Sequence, residues 1–186
     1  FENLDGPFVG VDNRGGATLG TNHLIEHGHT KIGLVAGMQR LSTMRARVAG
    51  FRQTMDAANI QYDEEQIILS ALSIEGGRTA VLELLAMRPD LTALFINNNL
   101  LCLGALLALR ELGLDCPKDI SIVSFDDHPW AEVADPPLTV VRQPARDVGA
   151  HAANLLCSML DGEETISNRI TLSCELIERQ SVQLLA

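Results

Sequence analysis

In the stretch VSFDDHPW, residues 123–130, an apolar run ends in two carboxylates, Asp126 and Asp127, followed by His128 and by Trp130, the only tryptophan of the chain. Paired acids at the end of a buried run can hold a metal ion, serve as acid and base, or grip the hydroxyls of a small ligand. Polar groups also follow three other apolar runs: Asp12 and Asn13 after 8–11, Ser42, Thr43 and Arg47 after 31–37, and Asn97 to Asn99 after 92–96. Carboxylates and amides pair with several hydroxyls at once, and an arginine presents a rigid fork of donors. This mixture suits a polyol or sugar, or a small anion held by Arg47.

Several of these residues also have a purely structural use. Asp12 or Asn13 can cap the following helix, and Asn97 to Asn99 can do the same for the next; capping does not exclude ligand contact. Asp127 is read as a cap or turn former, and Asp126, at the strand's very end, as the ligand candidate. Arg45 and Arg52 lie seven apart on one helix face and are read as solvated, whereas Arg47 lies beside the apolar stripe, one turn from Phe51. Trp130 is assigned to packing beneath its loop. His27 and His29 flank Gly28 with no third ligand nearby, and His23 and His151 read as ordinary helix residues, so no metal site is expected. DNRGGATLG lacks both the GxGxxG spacing and a P-loop lysine, and there is no GxSxG elbow. No cofactor is expected. An enzyme built on Asp126, Asp127 and His128 would lack a nucleophile–base pair and a complete metal set.

The elements that must position these groups alternate along the chain. Apolar runs at 8–11, 31–37, 66–69, 92–96, 120–125 and 138–141 are continuous, the pattern of strands covered on both faces of a parallel sheet. Helices are expected between them at 14–28, 43–58, 76–88, 98–113 and 144–161. Thr43 is the expected N-cap of the second, with Met44, Val48, Phe51 and Met55 at helical spacing. Gly28, Gly113 and Gly162 sit where C-caps belong, and Pro89 and Pro117 follow helix ends. The tail, 168–182, is β-rich and suits a closing hairpin or edge strands. Repeated strand–helix units define an α/β fold with a Rossmann-like parallel sheet flanked by helices. In such a sheet a ligand binds beyond the carboxyl ends of the strands, where the polar groups above lie.

The 186 residues suffice for one sizeable core or two small lobes, and a composition 46% hydrophobic and 20% charged is that of an ordered globular chain. A net charge of −10 opposes direct contact with a phosphate backbone. The four cysteines form no CxxC pair, which points to reduced thiols in the cytoplasm. No apolar stretch reaches the roughly 18 residues of a membrane span. The chain opens in FENLDGPFVGVDN with neither an initiator methionine nor a signal peptide, and is read as part of a longer protein. The helix at 98–113 is apolar nearly all round, and Leu100, Leu103, Leu106 and Leu107 are assigned to a homodimer interface.

Longer motifs carry a resemblance. VGVDNRGGATLGTNHLIEHGHTKIGLVAG, TMRARVAGF, LTALFINNNLLCLGALLALRELGLDCPKDISIVSFDDHPWAEVADPPLTVVRQP and LIERQSV together resemble the effector-binding part of LacI/GalR-type bacterial transcriptional repressors, with consistent spacing over essentially the whole chain. The resemblance implies a periplasmic-binding-protein-like type I domain: two Rossmann-like subdomains, a small effector in the cleft between them, and a homodimer whose operator DNA is read by a helix-turn-helix domain outside this chain. Carried over by position, it implies ligand contacts at Thr43, Arg47, Asn98 and Asp126 and a pocket wall at Leu72. It implies residues 1–12 as a remnant of the N-terminal subdomain, 13–141 as the C-terminal subdomain, 142–172 as a segment returning to the N-terminal one, and 173–186 as the closing strand segment. Many members have Asn-Asp where this chain has Asn98-Asn99, so a carboxylate is missing at that strand end. The implied effector is a sugar or sugar acid, with purines as a further class. A periplasmic sugar-binding protein shares the fold and is the alternative.

Overall fold

The computed structural model describes residues 6–161 and 169–185. Every apolar run forms a strand: β1 (Phe8–Val11), β2 (Ile32–Gly37), β3 (Ile67–Ser70), β4 (Ala93–Ile96), β5 (Ser121–Phe125) and β6 (Thr139–Arg142). The tail contributes β7 (Arg169–Leu172) and β8 (Glu175–Ile177). Helices α1 (Asn13–Glu26), α2 (Ser42–Ala57), α3 (Ile74–Met87), α4 (Asn99–Leu112), α5 (Pro129–Val133) and α6 (Ala145–Leu160) lie between them.

The main sheet has six strands in the order β3-β2-β4-β5-β6-β8. All its pairings are parallel except that of β8, which runs antiparallel to β6 along the edge. Strands β2, β4 and β5 are buried end to end, which explains their unbroken apolar sequence. The pleat then sorts their side chains by period two. Leu34, Phe95, Val123 and Phe125 meet Ala17, Leu24, Val48, Phe51 and Met55 of α1 and α2 on one face. Val35, Leu94, Ile96 and Ile122 meet Ala80, Leu84, Leu101, Ala105 and Ala108 of α3 and α4 on the other. Helices α3 and α4 touch backbone to backbone: a Cβ on Gly104 would lie 2.1 Å from the carbonyl of Ile74, and one on Gly77 would lie 2.2 Å from that of Leu101. Only glycine permits that approach.

The tail makes edge strands of two different sheets. β7 pairs in parallel with β1 in a separate two-stranded sheet, while β8 closes the main one. β6 runs one residue past its expected end, because Arg142 pairs with Glu175. Helix α6 leans on β1 and buries none of its residues, although Leu156, Met159 and Leu160 project from it.

The cap assignments divide. Asp12 caps α1, accepting the Gly15 N–H at 2.8 Å, and Asn98 caps α4, accepting that of Leu100 at 2.9 Å. Gly113 adopts φ +69° after α4 and Gly28 φ +87° after α1, left-handed positions that glycine fills without strain. Thr43 is not a cap. α2 starts one residue earlier, behind Leu41, which has no capping side chain, and Thr43 stands in the first turn. The expected cap at Gly162 lies outside the described residues.

Candidate functional site

Strand order reverses at β2, with β3 on one side and β4 on the other. In an open α/β sheet the crevice beyond the strand ends at such a point is the ligand position. Arg47 occupies it. Its helix follows β2, and its guanidinium crosses to the end of β4, where Nη1 donates to the Asn97 carbonyl at 2.7 Å. Nε donates to Asn13 Oδ1 at 2.8 Å, and the guanidinium carbon stacks 3.5 Å from the centroid of Phe125. Asn13 is oriented in turn by its own bond to the Val11 carbonyl at 3.0 Å. Arg47 is only 3% exposed, and burial pulls its pKa down to about 10, with Asp126 and Cys174 pulling the other way. It remains a cation at neutral pH, held by neutral acceptors and an aromatic face.

Asp126 follows β5 directly, at φ +79°, a left-handed conformation that aspartate tolerates better than most residues. Its backbone N–H still bonds Val141 on β6, at 2.9 Å, and its carboxylate takes a hydrogen bond from the Gln143 side chain. A residue strained at a strand end marks a place where the chain turns a side chain out of the ladder. Asn97 is fully buried, and neither atom of its amide finds a partner among the described residues. Buried amides are almost always hydrogen-bonded, so this one calls for water or ligand. The run of three asparagines signalled polar chemistry here, and only the fold separates the buried Asn97 from the capping Asn98.

Beside this cluster a cleft of about 500 Å³ opens between the β1–β7 pair and the start of α2, lined among others by Asp12, Asn13, Ser42, Thr43, Gln143 and Arg169. Thr43 thus borders the cleft, and Arg47 and Asp126 stand behind it through Asn13 and Gln143. Asn98 spends its side-chain oxygen on the α4 cap. Leu72 is half-buried against the α3–α4 core, where its Cδ2 would lie 2.6 Å from a Cβ on Gly37 at the end of β2.

Asp127 is neither a cap nor a turn former. It accepts from Arg142 at 2.6 Å and from Arg179 at 3.0 Å. Burial alone would raise its pKa, but the two guanidinium groups prevail and hold the carboxyl below its ordinary value. Arg179 also donates to the Leu138 carbonyl at 2.8 Å, so this carboxylate ties β6 and the tail to the end of β5. Arg45 and Arg52 are not simply solvated: Arg45 bonds the carbonyl of Gln39 at 2.9 Å, and Arg52 pairs with Glu64 at 2.5 Å. Trp130 packs against the α3–α4 core as expected. His29 turns inward to Thr92 Oγ1, at 2.8 Å, and to the Gln183 carbonyl.

The outer side of α4 splits from its inner side. Leu101, Ala105, Ala108 and Leu109 are buried, while Leu100 and Leu107 are 38% and 46% exposed, with Leu103 and Leu106 between. With Ile74, Trp130 and Pro136, Leu103, Leu106 and Leu107 border a broad groove that Leu100 does not line.

A mainly parallel sheet covered by helices on both faces, with a polar cluster at its switch point and a second small sheet beside it, is the architecture of a periplasmic-binding-protein-like domain. Residues 21–182 match the family model described as a periplasmic binding protein-like domain, and the chain belongs to that family, as the kind of effector domain found in LacI-type regulators. It is 37% identical over 174 residues to the HTH-type transcriptional regulator CelR of Thermobifida fusca, covering 94% of this chain and 51% of that one. It is 34% identical over 182 residues to the HTH-type transcriptional repressor CytR of Escherichia coli, covering 98% and 53%. The chain therefore spans about half the length of these curated relatives. Among solved structures, a CelR–cellobiose complex superposes with a TM-score of 0.88 at 37% identity, covering 92% of this chain and 52% of that one. A LacI-family regulatory protein of Chloroflexus aggregans gives 0.91 at 31%, covering 97% and 65%. These relatives are transcriptional regulators. No helix among the described residues is long and apolar enough to cross a membrane.

Proposed function

We propose that this chain is the effector-sensing and dimerisation part of a cytoplasmic LacI-type regulator, and that it binds a sugar or sugar acid beside Arg47. The observation that carries the reading is the buried guanidinium at the switch point. A cation taken out of water and given only neutral acceptors is costly, and a ligand rich in hydroxyl or carboxylate oxygens offsets that cost. Nε and Nη1 are taken, which leaves the Nη2 edge of the fork for the ligand. Asp126 adds an acceptor for hydroxyls, Asn97 an amide, and Thr43 a hydroxyl at the cleft mouth. The cellobiose complex of CelR supports a carbohydrate in this fold.

The unit of β1, α6 and β7 is assigned to the other lobe. The bare apolar face of α6 suits packing within that lobe, and the effector would bind best to one relative placement of the two. The outer face of α4, with Leu100, Leu103, Leu106 and Leu107, is assigned to the homodimer. Operator DNA would be read by a separate helix-turn-helix domain, since a net charge of −10 repels phosphate. Ligand and DNA would then be coupled reciprocally through the lobe arrangement.

The test is thermal unfolding against cellobiose, other sugars, sugar acids, sugar phosphates and purines. A ligand that binds only the folded state raises Tm by mass action. The expected outcome is a rise with one carbohydrate class that disappears in Arg47→Ala. A ligand that shifts both proteins equally sinks the site assignment. Leu107→Glu should convert the sedimenting dimer to a monomer, and an unchanged dimer would move the interface elsewhere.

A further inference from the structure

At the other end of α1, about 20 Å along the helix from Asn13, stands a cluster that the effector reading does not use. His23 and His27 occupy successive turns, so they share one face, and their rings lie 4.2 Å apart at 46°. Glu178, the residue after β8, brings a carboxylate to the same place. One ligand atom from each of the three lies within 4.8 Å of the others. Linear spacing hid this group, because Glu178 is supplied by the chain's tail and His23 looked like an ordinary helix residue.

Three independent features point to a ligand. His23 is 4% exposed, yet its Nε2 is buried without a hydrogen-bond partner. A buried ring nitrogen is almost always satisfied, so this one is an orphan that a cation would complete. His27 Nδ1 sits 2.8 Å from the His23 carbonyl, an acceptor, so that nitrogen carries the proton and donates. Its Nε2 then carries the free lone pair, the second-shell arrangement that orients a metal-bound imidazole. Finally, the site lies at the C-terminal end of α1, where the helix dipole favours positive charge.

We propose that His23, His27 and Glu178 bind a transition-metal dication of the zinc type, with water completing the coordination. Two imidazoles and a carboxylate are the donor set that suits zinc, and they discriminate against magnesium, which demands oxygen ligands. The bound ion would staple α1 to the tail, which already meets the same corner through Leu185 N–H bonded to the His27 carbonyl at 2.9 Å.

Calorimetric titration of the tag-free chain with zinc chloride tests this, with magnesium chloride as the comparison. One equivalent of zinc and no magnesium should bind. His27→Ala and Glu178→Gln, both away from the core, should each weaken zinc at least about tenfold, and zinc should raise the Tm of the parent protein only. Cobalt should give a visible spectrum of nitrogen and oxygen ligation. A thiolate-to-cobalt band would place the ion on a cysteine and overturn the proposal. So would zinc affinity in both variants equal to that of the parent, or no saturable zinc binding in the micromolar range.

Discussion

Asp126 and Asp127 are adjacent in sequence and belong to regions with opposite electrostatic logic. Around Asp127 the charges are saturated: one carboxylate, 10% exposed, faces two guanidinium groups, and Arg179, 13% exposed, fills its remaining geometry with a backbone carbonyl. Around Arg47 the charge is undersaturated: a buried cation has amide and carbonyl partners, an aromatic face, and a carboxylate nearby that Gln143 already holds. The first region joins β5, β6 and the tail and offers nothing to a ligand. The second spends folding energy on a cation whose partners are incomplete. Adjacent acids at a strand end therefore divide into one that fastens the fold and one that remains open to chemistry.

The largest expected effect falls on the saturated side. Asp127→Ala strands Arg179 as a buried, unpaired cation and should cost about 3–5 kcal/mol, read as a lower urea midpoint. Arg142→Ala should cost at most about 1 kcal/mol, because that partner is 46% exposed and its pairing is screened. Equal losses in the two variants would mean that the clamp is a surface feature and that the contrast with Arg47 is false.

Next comes Arg47→Met, which removes the charge and keeps much of the volume. Stability should change by no more than about 2 kcal/mol, since losing the buried charge offsets the unpaired acceptors on Asn13 and Asn97. The effector-induced rise in Tm should vanish. A collapse as large as that of Asp127→Ala, with effector response retained in the residual fold, would reverse the roles of the two regions.

Acid separates the regions without mutation. The folded-state pKa of Asp127 is depressed, so the unfolded chain binds its proton more readily. Its stabilisation is fully present above the ordinary carboxylate pKa of about 3.9 and is lost as pH falls through the lower folded value. Histidines act earlier. Burial lowers the pKa of both His23 and His29, so their contribution is complete above about 6.5 and declines as pH falls below it. The urea midpoint should thus fall in two steps, and Asp127→Asn should shrink only the lower one, to which the depressed carboxyls of Glu75 and Asp90 also contribute. The Arg47 cation does not titrate in either window.

These contrasts also mark how far the sequence can be read. Six continuous apolar runs announced six strands, because burial on both faces leaves no polar residue to interrupt them. The inward placement of Arg47 was legible because it sits beside the stripe that buries Phe51, and the place of Asp126 because it follows a buried strand. The fate of Asp127 was not, since its partners lie 15 and 52 residues away and meet it only through β6 and the tail. Thr43 failed as a cap for a local reason: α2 begins with no side-chain cap at all, so the best capping residue nearby carried no information. His23 was hidden in the same way as Asp127, by a tail residue that completes its cluster.

The smallest effect tests the comparison most finely. Asp126→Asn keeps a side chain that tolerates the left-handed backbone at φ +79°, so no new strain enters. The amide can still accept from Gln143, and the stability read from urea unfolding should change by less than about 0.5 kcal/mol. What changes is the charge offered to ligand hydroxyls. Hydrogen bonds to a charged acceptor exceed neutral ones by about 1 kcal/mol, so effector affinity should fall about fivefold to tenfold. Asp126→Ala should lose the same affinity and add backbone strain, lowering stability as well. If instead the asparagine variant loses stability and keeps full affinity, Asp126 belongs with Asp127 as a fastener, and the open chemistry at this strand end is carried by Arg47 alone.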